Sequence, residues 1–306
     1  MKPEILIVGA GSAGLSAALM LGRCRRRVLV ADAGAPRNAA SPVVHDFFTR
    51  DGIQPTQLLA LGRKQLAQYP TVELATGLHI DAINPHEGGF AVRGHYLAGN
   101  QPFRAQVQRV LLATGVTDLL PPQPGFRELW GTSVLHCPYC HGYEMADQPL
   151  AVYGRGRAVV GLALLLTNWS RDLVVVTDGP GHLTTAARQR LRRHGIAVRE
   201  ETITHLVGGP GGVLRCVEFA DGTSLERAAL FLHAPQEQRT MLAAQLGARL
   251  TSKGAVWVDK NSQTTVPGLY AAGDTAPGQQ QDLLAAAAGS SAAICLNEAL
   301  TREQRR

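Results

Sequence analysis

Several features that mark common protein classes are scarce in these 306 residues. Aromatic residues make up 5% of the chain, too few for the base-stacking platforms of single-strand nucleic-acid binders. Charged residues make up only 18%, which excludes disorder and coiled coil as the main architecture. The longest helix-compatible apolar run, residues 283–296, is interrupted by Gly289 and is shorter than the ~20 residues that a membrane span needs. We therefore expect a globular protein that binds neither nucleic acid nor a membrane.

We expect no export signal, because the apolar run at residues 5–8 stops at Gly9 instead of continuing as a helix. We therefore expect a cytoplasmic protein with its five cysteines in a reducing compartment. There, a closely spaced pair such as Cys137 and Cys140 indicates redox or metal chemistry rather than a structural disulfide. The isolated cysteines are expected to fill the core, and they are Cys24, Cys216 and Cys295.

Positive charge is in excess, with a formal net charge of +6 at pH 7, and it is clustered along the chain. The clusters are Arg23 with residues 25–27, then Arg188, Arg190, Arg192 and Arg193, then Arg302, Arg305 and Arg306. Such clusters are mostly solvated faces, and the partner that they would fit is an acidic protein such as a ferredoxin.

A unit of strand, glycine turn, helix and strand occurs twice. The first copy has a strand at residues 5–8, a turn at 9–14, a helix at 15–21 and a strand at 28–31 that ends at Asp32. The second has a strand at residues 150–153, a turn at 154–159, a helix to about residue 169 and a strand at 173–176 that ends at Asp178. The copies lie too far apart for a solenoid, and each is typical of a dinucleotide-binding domain.

The order of these elements predicts an α/β protein with two Rossmann-like dinucleotide-binding domains, the second inserted into the first. Proline and glycine at residues 120–125 mark the linker into the second domain. The sequence then predicts strands near 256–258 and 269–272 and a helix at 283–300, too little for a third domain. The expected first domain is residues 1–118 and 245–306, and the expected inserted domain is residues 119–244.

The first glycine turn carries a complete dinucleotide fingerprint. Gly9 permits the turn, Gly11 lets the backbone approach a pyrophosphate, and Gly14 allows close packing of helix and strand. The helix N-terminus offers its N–H groups to phosphates, and Asp32 is placed to accept a hydrogen bond from a ribose hydroxyl. The candidate cofactor-binding residues of this copy are Gly9, Gly11, Ser12, Ala13, Gly14 and Asp32.

The segment His136-Cys137-Pro138-Tyr139-Cys140-His141 leaves several kinds of chemistry open. A c-type haem fits poorly without an export signal, and a zinc site built from this segment alone would be cramped. A structural buried pair is a third alternative, and a redox dithiol is the one we favour. Since a flavin can take up a hydride and pass both electrons to a disulfide, FAD is the expected cofactor of the first domain.

Four segments in this order resemble the low-molecular-weight flavin thioredoxin reductase family over nearly the whole chain. They are residues 9–14, residues 112–115, the dithiol and residues 270–274. The resemblance implies an FAD-binding domain carrying an NAD(P)-binding domain, a homodimer, and a thioredoxin-like protein or a small disulfide as substrate. Residues 32–38 and 136–144 are most similar to the branch that includes fungal and bacterial dithiol oxidases.

The resemblance also implies roles for single residues. The chain would leave the FAD domain at Thr114 and Gly115, and Asp274 would bind the ribityl chain. The region of Gln281 and Asp282 would lie near the isoalloxazine ring. Further candidate cofactor-binding residues by the same resemblance are Arg37, Asn38 and Gly273.

The dithiol residues take their expected roles from the resemblance as well. Cys140 would be the thiol nearest the flavin, and Cys137 would exchange with substrate. His141 stands where the better-known thioredoxin reductases have an aspartate that donates a proton, so it is the candidate acid and base, or a packing or capping residue.

The second fingerprint departs from the family. Val159 stands where a small residue would let the helix pack close, and Asp178 stands where the family's basic cluster would bind the 2′-phosphate of NADPH. The sequence therefore argues against NADPH binding in the usual way. It leaves open NADPH by altered contacts, NADH, a ferredoxin or other non-pyridine donor, a second dinucleotide or flavin in the inserted domain, oxidation of dithiols by oxygen, and a flavin-bound sensor without turnover.

Overall fold

The computed structural model describes residues 2–305. Met1 and Arg306, which are the ends of the expected first domain, lie outside the described residues, and Arg306 also belongs to the last arginine cluster. The strands are β1 (Ile5–Val8), β2 (Val28–Asp32), β3 (Val72–Thr76), β4 (Leu78–His86), β5 (Gly89–Tyr96), β6 (Pro102–Val107), β7 (Arg109–Leu112), β8 (Val116–Asp118), β9 (Val134–Leu135), β10 (Leu150–Tyr153), β11 (Leu173–Val176), β12 (Ala197–Arg199), β13 (Ile203–Gly208), β14 (Leu214–Phe219), β15 (Ser224–Glu226), β16 (Ala229–Leu232), β17 (Gln236–Gln238) and β18 (Leu269–Ala271). The helices are α1 (Ser12–Arg23), α2 (Pro55–Leu66), α3 (Pro138–His141), α4 (Gly156–Leu166), α5 (Thr185–Arg193), α6 (Leu242–Gln245) and α7 (Asp282–Gln304).

The chain divides into two compact units. Unit 1 comprises Met1–Ala39, Asp46–Thr117 and Gln236–Arg306, and unit 2 comprises Ala40–His45 and Asp118–Pro235. Unit 1 therefore resumes at Gln236, earlier than the expected residue 245, because Leu242 and Ala243 of α6 are buried in its core. The segment Ala40–His45, expected in the first domain, belongs to unit 2.

Unit 1 is built on a five-stranded sheet with the order β18-β7-β1-β2-β3, and its pairings are parallel. Strand β1 is apolar throughout because both of its faces are covered. Leu6 and Val8 enter the core shared with the antiparallel sheet β4-β5-β6, whereas Ile5 and Ile7 enter the core shared with α1 and α7. This alternation has the two-residue period of a strand.

Helix α7 is longer than the predicted helix at 283–300. Its length and composition alone would also suit a membrane span, so the sequence-based exclusion of a span by run length was too strict. Core helices satisfy the same two criteria, and α7 buries Ala292, Ala293 and Leu296 in unit 1. Gly289 lies so close to α1 that an added Cβ would be 2.0 Å from the Ala13 carbonyl oxygen.

Unit 2 repeats the parallel arrangement, with the strand order β12-β11-β10-β16-β9. Its core lies on both faces of that sheet: one side is filled from α4 and α5, the other from the antiparallel sheet β13-β14-β15. Helix α4 ends at Leu166, before the expected residue 169. The two parallel sheets support the expected pair of Rossmann-like folds.

Three local predictions differ from the structure. No regular strand forms near residues 256–258, because Val256 donates its N–H to Thr275 and makes only an isolated bridge with Leu250. Cys24 is exposed rather than in the core, since it caps the C-terminal end of α1 at the surface. Cys216 is buried as expected and Cys295 is partly buried.

Candidate functional site

The first glycine turn places two of its glycines against the chain and one against open space. A Cβ on Gly9, whose φ is +104°, would lie 2.3 Å from the Ala113 carbonyl oxygen, and a Cβ on Gly14 would lie 1.8 Å from the Gly9 carbonyl oxygen. A Cβ on Gly11 would meet nothing within 4 Å. Gly9 and Gly14 therefore hold the turn together, whereas Gly11 leaves room on the side where a pyrophosphate would approach.

Helix α1 begins immediately after this turn. Its N-cap is Gly11, and no side chain caps its first N–H groups, which leaves the positive end of the helix suited to phosphate oxygens. The Ser12 hydroxyl donates to Asp282 at 2.6 Å, and Asn38 donates to the other oxygen of the same carboxylate at 2.8 Å. Asp282 thus joins the start of α1 to the start of α7. Ala13 serves packing, since its Cβ would lie 2.8 Å from a Cβ on Gly273.

Asp32 ends β2 and is buried. One of its carboxylate oxygens accepts from the Gly34 N–H at 3.1 Å, and the other accepts from the Arg63 guanidinium of α2 at 2.9 Å. Each carboxylate oxygen can accept a second hydrogen bond. The carboxylate is therefore fixed in place and still able to accept from a ribose hydroxyl.

A second group of predicted residues gathers around Asp274. Arg37 donates to the Asp274 carboxylate and to the Gln280 side chain, both at 2.8 Å. Thr275 accepts at its hydroxyl from the Gly115 N–H at 2.8 Å and lies 3.3 Å from the Thr114 hydroxyl. The segment where β7 ends is thereby tied to the segment that follows β18. Gln281 is the N-cap residue of α7.

These residues fit an FAD cofactor. The space beside Gly11 and the uncapped N-terminus of α1 suit the pyrophosphate. The remaining acceptor capacity of Asp32 suits the ribose. Arg63, Thr275 and Gln280 also contact these residues, and no sequence pattern pointed to them. The resemblance indicated the segment of Gln281 and Asp282, of which Asp282 contacts Ser12 and Asn38.

In unit 2, Cys137 and Cys140 form a disulfide. Cys137 is the N-cap residue of the one-turn helix α3, and the Cys140 N–H donates to its sulfur at 3.2 Å. An N–H at this position solvates the negative charge that a thiolate carries during thiol–disulfide exchange. Because the two sulfurs are bonded to each other, the cramped zinc site and the haem attachment receive no support from this geometry.

His141 follows the disulfide and is held by a residue from the separate segment Ala40–His45. Its Nε2 lies 3.2 Å from the Ser41 hydroxyl, and its Nδ1 is buried with no hydrogen-bond partner in the part of the chain that the structure describes. Burial lowers the pKa of His141 below its ordinary value, against the opposing charge of Glu144. The imidazole is therefore neutral at neutral pH and is poised to accept a proton.

Other side chains near the dithiol in the sequence make aromatic and ionic contacts. His136 stacks on Trp130 with the ring centroids 5.5 Å apart, and Tyr139 packs edge-on against Trp169 while staying largely exposed. His45 pairs with Glu144 at 3.3 Å. His136 therefore packs as an aromatic ring, whereas His141 is the histidine with a buried nitrogen next to the disulfide.

The second glycine turn is engaged by unit 2 itself. The Gly156 N–H, at the start of α4, donates to the Gly181 carbonyl at 2.8 Å. The Arg155 guanidinium donates to the Thr177 carbonyl at 2.8 Å and to the Asp178 carbonyl. Val159 lies in van der Waals contact with the position of a Gly154 Cβ, at 3.4 Å. Donors that a pyrophosphate would need are thus used within the chain.

Asp178, expected to meet a ribose, is also engaged within unit 2. It is largely buried, with one carboxylate oxygen accepting from Gln123 at 2.7 Å and the other from the Ile203 N–H at 2.8 Å. The Arg155 guanidinium also lies 3.9 Å from this carboxylate. Its position is therefore explained by the fold of unit 2.

One chain that carries both a dinucleotide fingerprint with an acidic strand end and a two-cysteine disulfide in a Rossmann-like unit is, as a class, a dinucleotide-dependent disulfide oxidoreductase. A family model described as pyridine nucleotide-disulphide oxidoreductase matches residues 3–292. The chain belongs to this family, whose members bind FAD, and is a thioredoxin reductase-like flavin disulfide oxidoreductase.

Individual relatives agree with this assignment. The thioredoxin reductase tcpT of Claviceps purpurea is 31% identical over 89% of this chain and 86% of its own length. The crystal structure of HlmI is 37% identical with a TM-score of 0.90, covering 99% of this chain and 94% of that one. The crystal structure of an oxidoreductase from Agrobacterium tumefaciens is 32% identical with a TM-score of 0.90, covering 99% of both chains.

Proposed function

We propose that this protein is an FAD-dependent thiol–disulfide oxidoreductase in which electrons pass between the flavin, the Cys137/Cys140 pair and an external disulfide or dithiol. The observation that carries the proposal is the Cys137–Cys140 disulfide followed by His141, whose partly buried imidazole has a lowered pKa and is neutral. Bound FAD supplies the uptake or release of the electron pair. The protein supplies the exchanging sulfurs and the group that holds the proton.

In the reducing direction, the Cys137 thiolate attacks a substrate disulfide and forms a mixed disulfide, and one substrate thiolate leaves. The Cys140 thiolate then attacks Cys137, which releases the second substrate thiolate and restores the Cys137–Cys140 bond. The substrate gains two electrons, the pair loses two, and the leaving thiolates take up protons. A thioredoxin-like protein or a small disulfide is the proposed substrate of this direction.

His141 favours the opposite direction as a second candidate function. A neutral imidazole can accept the proton of a substrate thiol, and the resulting thiolate attacks Cys137 and releases Cys140. A second substrate thiolate then attacks the mixed disulfide, so that the substrate leaves as a disulfide and the pair holds two electrons. Molecular oxygen is the proposed final acceptor, since this direction needs an oxidant.

The proposed electron donor is not NADPH bound in the family's usual way. Support comes from unit 2, where the Gly156 N–H, the Arg155 guanidinium and the Asp178 carboxylate already bond within the chain. A dinucleotide or second flavin at this turn would have to displace those bonds. For the reducing direction, we propose an acidic protein such as a ferredoxin, because Arg190, Arg192 and Arg193 lie exposed along α5.

Two further proposals concern the oligomeric state, which the family membership supports, and the cellular compartment, which rests on the sequence expectation alone. We propose a homodimer, which light scattering of the purified protein tests directly, with a monomer contradicting it. We propose the cytoplasm as the compartment, and fractionation of the source cells tests it. Neither proposal enters the chemical steps above.

Substitution of the exchanging cysteine tests the proposed function. Cys137→Ser should reduce steady-state turnover of a model disulfide or dithiol to background while FAD binding persists, because no mixed disulfide can form. Cys24→Ser is the matched control, since Cys24 is exposed and isolated, and it should keep full turnover. Full turnover by Cys137→Ser would overturn the assignment, and a single turnover by the wild type would indicate a sensor.

Anaerobic mixing separates the donors. NADPH and NADH, added separately, should leave the flavin absorbance unchanged, whereas a reduced ferredoxin or a small dithiol should bleach it. Rapid bleaching by NADPH or NADH would identify the protein as a pyridine-nucleotide reductase. It would contradict the proposal that the second glycine turn does not bind a pyridine nucleotide. Bleaching by dithiols, followed by oxygen uptake when air is admitted, would favour the dithiol oxidase.

A further inference from the structure

A histidine pair lies on the antiparallel sheet β4-β5-β6 of unit 1, among residues to which the proposed chemistry assigns no role. His79 of β4 lies directly opposite His95 of β5 in the strand register. Their ring centroids are 5.3 Å apart, and both side chains are partly exposed on the same face of the sheet. Directly opposed residues of antiparallel strands are close enough for their side chains to share a ligand.

A β-bulge adds a carboxylate to this pair. The register shifts between Ile80 and Ala82, so Asp81 is the extra residue of β4. Opposite the bulge stands Gly94, where a Cβ would lie 2.2 Å from the His79 carbonyl oxygen. The missing side chain at Gly94 therefore permits the close approach of the two strands at this point.

The Asp81 carboxylate lies between the two imidazoles. One oxygen is 3.1 Å from the His79 Nδ1, and the other is 2.9 Å from the His95 Nδ1. Both oxygens of one carboxylate thus face both imidazoles, so the three side chains converge on one point of the sheet surface.

We propose that His79, Asp81 and His95 form a binding site for a divalent transition metal, with Zn²⁺ as the ion that fits best. Candidate ligand atoms of the three side chains all lie within 4.8 Å of one another. Tetrahedral zinc with bonds near 2.1 Å requires its ligand atoms roughly 3.4 Å apart, which small rotamer changes supply. Two imidazoles and one carboxylate suit zinc, whereas Mg²⁺ and Ca²⁺ prefer oxygen ligands throughout.

Three protein ligands leave the fourth zinc position to water. The ion would replace the two imidazole–carboxylate hydrogen bonds and link β4 to β5 at the bulge. A ligand that binds only the folded state stabilises it by an amount that grows with the logarithm of the ligand concentration over the dissociation constant. The site would therefore stabilise unit 1, to which all three ligands belong.

Calorimetric titration with ZnCl₂ tests the proposal. The FAD-loaded protein is kept oxidised and free of reductant, so that the Cys137–Cys140 pair stays bonded. The wild type should bind one Zn²⁺ per chain with a micromolar dissociation constant. His95→Gln and Asp81→Asn keep hydrogen-bonding capacity but remove a good ligand, and each should weaken binding about 10-fold or more.

The matched control is His86→Gln. His86 is an exposed histidine of β4 that lies 2.9 Å from the Gln106 amide and near no carboxylate of the cluster, so its substitution should leave the zinc affinity unchanged. Unchanged flavin absorbance and circular dichroism establish that each variant is folded. Absence of one-to-one binding by the wild type, or equal affinity in His95→Gln, would overturn the proposal.

Discussion

Single residues of the two glycine turns determine what each turn can bind. In unit 1, the space beside Gly11 and the uncapped start of α1 face outward for a cofactor. In unit 2, the corresponding donors are bonded to Gly181, Thr177 and Asp178. Similar sequence patterns therefore differ in structure, since donors of the second turn bond within the chain and the first turn leaves space beside Gly11.

Gly11→Ala and Gly14→Ala should separate cofactor binding from folding. Gly11 has φ −75° and an added Cβ meets no atom within 4 Å, so Gly11→Ala should fold normally but bind FAD about 10-fold or more weakly. At Gly14 the Cβ would lie 1.8 Å from backbone, so Gly14→Ala should lose about 1–3 kcal/mol or more in the free energy of unfolding. Flavin fluorescence and urea unfolding measure the two effects, and equal behaviour of the variants would contradict this division.

His141 should set the pH dependence of dithiol oxidation. Because burial lowers its pKa, the imidazole stays neutral as pH falls through 6.5, and kcat/KM should decline only at lower pH. His141→Gln should lower the rate by about 10² or more and remove this decline, whereas His136→Gln should keep it. A rate that instead rises on acidification would identify His141 as a proton donor in the reducing direction.

The same shift bears on stability. The unfolded chain protonates this histidine near its ordinary pKa, while the folded chain resists protonation. The contribution of His141 to the free energy of unfolding is therefore fully present above the pKa of the unfolded chain. It is lost as pH falls from there toward the lower pKa of the folded chain.

At the scale of elements, two glycines inside helices differ in whether their surroundings require glycine. Gly289 of α7 is buried at the crossing with α1, where only a hydrogen fits beneath the Ala13 carbonyl. Gly161 of α4 is exposed and an added Cβ would meet no atom within 4 Å. The first glycine allows two helices to pack closely, and the second only weakens its helix.

Gly289→Ala and Gly161→Ala should therefore change stability in opposite directions. Alanine is about 1 kcal/mol more favourable than glycine in a helix interior. Gly161→Ala should therefore raise the free energy of unfolding by this amount. At Gly289 the clash with α1 costs about 1–3 kcal/mol or more and should make the net effect destabilising. Urea unfolding followed by circular dichroism measures both, and a stabilised Gly289→Ala would show that the helices can move apart.

At the scale of the whole molecule, each unit has hydrophobic cores of its own. The cores of unit 1 draw on β1, α1 and α7, and those of unit 2 draw on β10, α4 and β14. The FAD candidates lie in unit 1 alone, whereas the disulfide lies in unit 2. We therefore expect ligand binding to stabilise one unit and not the other.

Unfolding of the holoprotein should show two transitions. Trp130 and Trp169 lie in unit 2, so a Trp257→Phe variant reports unit 2 through tryptophan emission, while released flavin reports unit 1. Free FAD at 100 times its dissociation constant should stabilise unit 1 by about 2.7 kcal/mol and leave the tryptophan transition in place. Coincident transitions that shift together would contradict independent cores.

The sequence predicted the elements whose apolar pattern is long and regular. The prediction was close for the buried parallel strands β1, β2, β10 and β11, because such strands are continuously apolar. It was also close for the turns at Gly9 and Gly154, where a positive φ favours glycine. The sheets β4-β5-β6 and β13-β14-β15 were not predicted, since short antiparallel strands with one polar face resemble loops in a single sequence. Among site residues, Arg63 and Thr275 were missed because they act only through partners distant in the chain.

The short segment Ala40–His45 makes unit 2 a two-part assembly. Ser41, which contacts His141, comes from the beginning of the chain, and Ala40 packs where Gly131 leaves no room for a Cβ. A chimera that transplants only residues 118–235 into a relative would therefore place His141 beside another residue's side chain in place of the Ser41 hydroxyl. Recombination between homologues exchanges this unit intact only if residues 40–45 and 118–235 come from the same parent. A single crossover between the two stretches would pair His141 with residue 41 of another protein.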